Sequence, residues 1–501
     1  MNSNGRFMPG FFFGRRILHV LFLLIPMGGL ALGGVIRSAE SGGMADPQQG
    51  RTKRYFGISA CTQCHTQPPD KDVVLCRCTE VAIWREKDKH KEAYNVLLGD
   101  RAKRMGQLLG YKGDVTKEAA CVSCHGVNVS DAKLQHSSFR PEDGVSCAVC
   151  HGMYIDWVDL HGSVLRRDEW RGYSRQTKEE RFGMADLWDP AKRAELCLSC
   201  HLGDAEQGKA VTHAMYAAGH PPLPGFEIAT FSEAMPRHWQ YIREKNPDVQ
   251  KLLKFNAADA QWEETKLVLE SGIATFRQQM KLLAAETRPS TSDSWPDLAQ
   301  FDCYACHHDL KADNWRQKRG TSGRPQMREW PTTLVRLSLR QLGENEQEFD
   351  DKLRALKAAF TQRPFGDSPA VASAASAMGK WCGQAMERIS KKPVDRERAI
   401  ALLRELCTMR SEIPDYDSAR QIGWAVQVVY GELAHESKPP NHDKIERQIR
   451  KLRDLLKLDL PAGAEKSIEK QLPESLRHIY LYEPGSFKAV LSEILGELPA
   501  K

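Results

Sequence analysis

Ten of the fourteen cysteines stand in five C-x-x-C pairs, and each pair is followed at once by histidine. The five are Cys61-Thr-Gln-Cys64-His65, Cys121-Val-Ser-Cys124-His125, Cys147-Ala-Val-Cys150-His151, Cys197-Leu-Ser-Cys200-His201 and Cys303-Tyr-Ala-Cys306-His307. Two thiols three positions apart lie on one side of a helical turn, where they can add to the two vinyl groups on one edge of a porphyrin. The next residue then projects toward the iron and supplies an axial imidazole. C-x-x-C-H is the attachment motif of c-type haem. Zinc sites built from C-x-x-C pairs do not need a histidine after every pair, and thioredoxin-like redox pairs do not come in fives. The expected cofactor is therefore haem c, five per chain, covalently attached.

Each iron also needs a group on its far side. Of sixteen histidines, five end the motifs, His19 lies in the N-terminal apolar region, and His435, His442 and His478 lie far beyond the last motif. Seven candidates remain. His90 sits in Asp88-Lys-His-Lys-Glu-Ala-Tyr94, inside a helical stretch expected from about residue 81. His161 follows the third motif by ten residues. His213 and His220 stand seven apart in His213-Ala-Met-Tyr-Ala-Ala-Gly-His220-Pro, two helical turns that put both on one face, with Gly219 and Pro221 marking where the helix stops. His136 and His238 complete the expected ligand set, and His308 is a further candidate for a neighbouring iron.

These residues resemble a known family. Gly144-Val-Ser-Cys147-Ala-Val-Cys150-His151-Gly152 followed by His161 is similar to a recurrent element of multihaem cytochromes. So are the His213 to His220 segment, with Phe226-Glu227 after it, and Asp88-Lys-His90. Together they resemble the cytochrome c-554 family, whose type member is a tetrahaem electron carrier, and which is related by haem packing to hydroxylamine oxidoreductase and pentahaem nitrite reductase. The resemblance covers about residues 55–240. It implies stacked haem pairs, mostly bis-histidine iron, and distal ligand roles for His90, His161, His213 and His220. The chain departs from the tetrahaem pattern in its fifth motif, in Cys76 and Cys78, and in a long tail after Leu310.

The elements that position these groups follow from spacing. Four motifs between Cys61 and His201 leave too little chain per site for an ordinary apolar core, so porphyrins must supply much of it. The expected fold is mainly α: short helices and loops around stacked haems over 46–320, with a helical extension and the fifth haem in 241–320. Residues 246–287 read as helical. Residues 325–501 carry no motif. There, amphipathic segments near 332–342, 347–361, 369–389, 395–409, 415–436, 442–457 and 463–471, punctuated by Pro364, Pro393, Pro414 and Pro439-Pro440, predict an appended helical bundle. The bundle suits docking, dimerisation or shielding of the fifth haem. Cys382 and Cys407 fall on successive helices and are expected to form a disulfide. Cys76 and Cys78 suit a local disulfide, free thiols, or a thiol touching a haem or metal.

Arg6, Arg15 and Arg16 precede an apolar run from Ile17 to Ile36, and small residues follow around Ala45. Residues 1–45 thus read as a signal peptide or an N-terminal membrane anchor, which places the remainder in the periplasm or another extracytoplasmic compartment. Without that segment, which holds four arginines and one glutamate, the formal net charge falls from +6 to +3. Ten haem propionates, adding about −10, then make the holoprotein acidic, so a nucleic-acid partner has no support. The expected function is electron transfer between other redox proteins. The alternative is an oxidoreductase acting on a small nitrogen or sulfur compound at one five-coordinate haem.

Overall fold

The computed structural model describes residues 53–68, 76–255, 260–288, 295–307, 324–409, 415–456 and 482–498. The expected leader or anchor, His308, and the segment at 463–471 lie outside them. Among the described residues the regular structure is helical, and extended pairing is limited to isolated bridges such as those of Tyr55 with Gln135 and Tyr154. None of these helices is long and apolar enough to cross a membrane.

From residue 53 to 252 the helices are short because polar caps start them and glycines stop them. Side-chain oxygens of Asp88, Asp114, Asp131, Ser174, Asp189 and Asp204 accept backbone N–H groups at successive helix starts. Each satisfies donors that a helix N-terminus leaves unpaired. After the third motif, Gly152 has φ of +113°, and a Cβ there would lie 2.1 Å from the carbonyl oxygen of Gly183. Only glycine fits. Apolar packing in this region comes in two small clusters. One is Phe56, Ala148, Ile155, Trp157, Leu160, Trp170 and Phe182; the other is Tyr94, Leu97, Val115 and Val122.

The main core lies C-terminal to these and is organised by one helix, Glu263–Glu286. The expected helical stretch from 246 to 287 is in fact two helices, Pro247–Leu252 and Glu263–Glu286, with Lys254 and Trp262 in the left-handed region between them. Leu267, Val268, Leu269, Ile273, Phe276, Met280 and Leu283 are all essentially inaccessible, and so are polar residues such as Gln278 and Gln279, so this helix is buried on nearly every side. It packs against Ser368–Ile389, Val335–Gln341, Tyr416–Glu436 and the motif-bearing helix Pro190–His201. Among the described residues no boundary near residue 325 separates the two halves, which belong to one compact unit.

The central helix lacks a local cap, and a residue far along the chain replaces it. The carboxylate of Glu432 accepts from the Thr265 N–H and hydroxyl, both at 2.8 Å, and from the Glu264 N–H at 3.3 Å. A negative charge belongs at this end of a helix. Two further ties join these parts. Arg277 of the central helix pairs with Glu195 on the Pro190–His201 helix, and from the tail Asp417 accepts from the Gly225 N–H at 3.0 Å. The tail helices otherwise run as the sequence predicts, with an additional one at Pro484–Glu497. Cys382 and Cys407 differ from expectation. They are separate free thiols, both buried in the apolar core, where a thiol packs as a small hydrophobe.

Glu270 sits on the buried side of the central helix with Lys266 3.9 Å away, and burial pushes its carboxyl up to about 7. An acid raised in the folded state loses stabilisation as pH rises from its unfolded value toward its folded one. Glu270→Gln should therefore match the parent in thermal stability below about pH 4.5. It should exceed the parent by up to about 3 kcal/mol above pH 7, read as a difference in melting temperature that grows across that window.

Candidate haem-binding centres

Each motif closes one helical turn, which carries its histidine back over its first cysteine. The second and third motifs form the helices Ala119–His125 and Cys147–His151, and the fourth ends the helix Pro190–His201. In the first and fifth, tighter turns do the same: the His65 N–H donates to the Cys61 carbonyl at 3.0 Å, and the His307 N–H to that of Cys303 at 2.8 Å.

Every one of these five histidines faces a second imidazole. Ring centres lie 6.2 Å apart for His65 and His161, 6.2 Å for His201 and His90, and 6.4 Å for His125 and His220. They lie 6.4 Å apart for His151 and His238, and 6.4 Å for His307 and His213. That separation is too long for ring stacking and matches a shared metal ion. Two metal–imidazole bonds of about 2 Å, each extended by a ring radius of about 1.1 Å, place the centres roughly 6.2 Å apart. The residues present thus fit iron held from both faces, with the adjacent cysteines at the porphyrin edge.

Hydrogen bonds at the other ring nitrogen set the tautomer this needs. Nδ1 of His125 lies 2.7 Å from the Ala93 carbonyl, that of His220 2.7 Å from the Pro221 carbonyl, and that of His238 3.2 Å from the Pro236 carbonyl. A carbonyl can only accept, so Nδ1 carries the proton and Nε2 keeps the lone pair that binds a metal. Carboxylates do the same at two other rings. Nδ1 of His65 is 2.9 Å from Glu80 Oε2, and Nδ1 of His90 is 2.9 Å from Asp88 Oδ1. Burial alone would push both acids up, but the bonds from their histidines and from backbone N–H groups hold them below their ordinary values. Burial also presses His151, His161, His201 and His220 down to about 4, which keeps them neutral and able to ligate near pH 7.

The expected distal residues reach these positions by routes the helical pattern did not show. His90 is not inside the helix Glu80–Lys87. It lies on a following 3-10 turn, Lys89–Glu92, which Asp88 caps. The helix carrying His213 stops at Ala217, and His220 lies beyond it, with Gly219 at φ of +113° turning the chain. The two histidines therefore face different partners.

His136 is the exception among the expected ligands. Its Nδ1 accepts from the Ser138 N–H at 3.2 Å, which places the proton of a neutral ring on Nε2, the wrong tautomer for a metal there. None of the five motif histidines is opposite it among the described ring contacts. Glu80 and Asp88 are site residues that sequence reasoning missed. The spacing of Asp88 two residues before His90, which suits an Asx cap, is the signal that could have found it.

The centres also approach one another. The thiols of Cys61 and Cys147 lie close enough to perturb one another's titration, as do those of Cys124 and Cys200. Cys150 lies in the field of Cys197 and Cys200.

Residues 60–152 match the family model described as cytochrome c554 and c-prime. Neither a curated protein nor a solved structure matches the chain. The matched segment holds the first three motifs, so this part of the chain is similar to a family of c-type cytochromes.

Proposed function

We propose that this chain is an exported pentahaem c-type cytochrome that passes electrons between redox partners through closely packed bis-histidine haems. The observation that carries the reading is the pairing of all five motif histidines with His161, His220, His238, His90 and His213 at 6.2–6.4 Å. Haem c bound at such a pair supplies reversible one-electron oxidation and reduction with no change of ligands. The protein's own part is to hold both imidazoles in place so that little reorganises, and to set the basicity of each through its Nδ1 partner.

Contacts between motifs suggest an order. The first and third sites adjoin through Cys61 and Cys147, the third and fourth through Cys150 and the Cys197–Cys200 pair, and the fourth and second through Cys200 and Cys124. His220 and His213, from one short segment, join the second site to the fifth. The row then runs first, third, fourth, second, fifth. The first and fifth sites, at the two ends of this row, suit ports where partners make small, transient contacts. The apolar N-terminal run and the thiol chemistry support an extracytoplasmic location. The rival reading, catalysis on a small nitrogen or sulfur compound, needs an iron with an open position, and the five pairs favour the carrier.

Intact mass and a haem assay should give five haems per chain. The ring planes add a spectroscopic test. They are 19° and 35° apart at the first and fifth sites but 71–86° at the other three. Near-perpendicular rings leave the iron's two π-accepting orbitals almost equal in energy, which enlarges the g-anisotropy. Electron paramagnetic resonance of the oxidised protein should show two ordinary low-spin signals, three strongly anisotropic ones and no high-spin iron. A high-spin signal removed by cyanide would move the assignment to the oxidoreductase.

Single-ligand variants separate the two residues on which sequence expectation was alike. His238→Ala should turn about one fifth of the iron high-spin and able to bind carbon monoxide when reduced. His136→Ala should leave the spectrum unchanged.

A further inference from the structure

Cys76 and Cys78 belong to no motif, yet the fold presses them together beside the first centre. Their Sγ atoms are 3.1 Å apart, and the turn between them needs Cys78 at φ of +56°, a left-handed conformation uncommon for a residue with a side chain. The Arg77 N–H between them donates to Glu80 Oε1 at 2.9 Å. The other oxygen of the same carboxylate, Oε2, holds Nδ1 of His65 at 2.9 Å. The Arg77 guanidinium reaches the Arg237 carbonyl, at 3.5 Å, which ties the turn to the segment that leads into His238. One carboxylate therefore bridges the dithiol turn and the imidazole that ends the first motif.

We propose that Cys76 and Cys78 form a reversible dithiol–disulfide pair whose oxidation state is relayed through Glu80 to His65. The relay rests on the reading of His65 as an iron ligand; the pairing does not. The oxidant is a disulfide of small-molecule or protein class. One thiolate of the pair attacks a sulfur of that disulfide and releases its first thiol. The second cysteine then displaces the mixed disulfide and releases the other thiol, so two thiols are oxidised, one disulfide is reduced, and the protons pass to the released thiols and solvent. Closing the bond draws the sulfurs from 3.1 Å to about 2.05 Å. That movement of about 1 Å falls on a turn whose middle amide is bonded to Glu80, so the hold of Glu80 on His65 Nδ1 changes. The hydrogen bond at a ligand's second nitrogen tunes its metal. An extracytoplasmic compartment supplies disulfide oxidants, and its poise decides the state.

The competing use of these groups is a metal site, because ligand atoms of His65, Cys76 and Glu80 lie within 4.8 Å of one another. The haem-loaded full chain, equilibrated in glutathione buffers of graded ratio, then trapped with a thiol reagent and digested, distinguishes the two. The peptide holding both cysteines should pass from doubly labelled to unlabelled and two hydrogens lighter as the buffer becomes oxidising. In parallel, a spectroelectrochemical titration should show one centre shifting in potential and the others unmoved. Cys76→Ser with Cys78→Ser should abolish that shift, and Glu80→Gln should abolish it while leaving the labelling change intact. A peptide that stays doubly labelled, a stoichiometric zinc ion retained on the reduced pair, or a pair that cycles without moving any potential would each overturn the proposal. Labelling reads the thiols whether or not the chain carries electrons, so failure of the electron-carrier reading would leave that result standing.

Discussion

The structure is arranged around one geometric relation: two imidazole rings face each other across a gap of about 6.3 Å, the span a shared metal ion would fill. Five times the chain repeats it, and at five of the ten rings a bond at Nδ1 leaves the lone pair on Nε2. The motif side is cheap to arrange, because a single helical turn after the first cysteine delivers the histidine. The distal side needs a residue from elsewhere, and it is there that the surrounding structure is committed. Asp88 caps a 3-10 turn and also accepts from the ring it carries. Gly219 turns the chain so that His220 leaves the helix of His213. The carbonyls of Ala93, Pro221 and Pro236 hold three rings in one tautomer.

The second half of the molecule serves that constraint from a distance. The central helix Glu263–Glu286 is buried along nearly its whole length and grips the helix of the fourth motif through Arg277 and Glu195. Its own start is completed by Glu432, and Asp417 fixes the loop after His220 at Gly225. A helical tail that looks, in sequence, like an appended module thus completes the start of the central helix and holds the loop after His220. Small apolar clusters around Phe56 and Tyr94 would be a weak foundation by themselves.

Residue adjacency explains what could be read without a structure. The five motifs were plain because thioether attachment and axial ligation require those residues side by side. Mainly helical architecture and most tail helices followed from apolar spacing and proline breaks. The pairing of rings was not legible, since nothing local links His151 to His238 or His307 to His213. His136 and His238 looked alike in sequence, and they part only at Nδ1, where a backbone N–H donates to one and a carbonyl accepts from the other. Glu80 was invisible because its importance comes from facing His65 and Arg77 together. The expected Cys382–Cys407 disulfide failed because helical order says little about which faces meet.

Loop topology gives the histidine pairs a further meaning. Each pair spans about 90 to 110 residues, and each span opens before the previous one has closed: 65–161, 90–201, 125–220, 151–238, 213–307. With haem bound as proposed, the pairs would act as five interlaced cross-links, each span holding one end of its neighbour's. Maturation of this region would then be collective: a histidine captured early by the wrong iron would block its neighbour's closure as well as its own, so fidelity in the first links would decide whether the last could form.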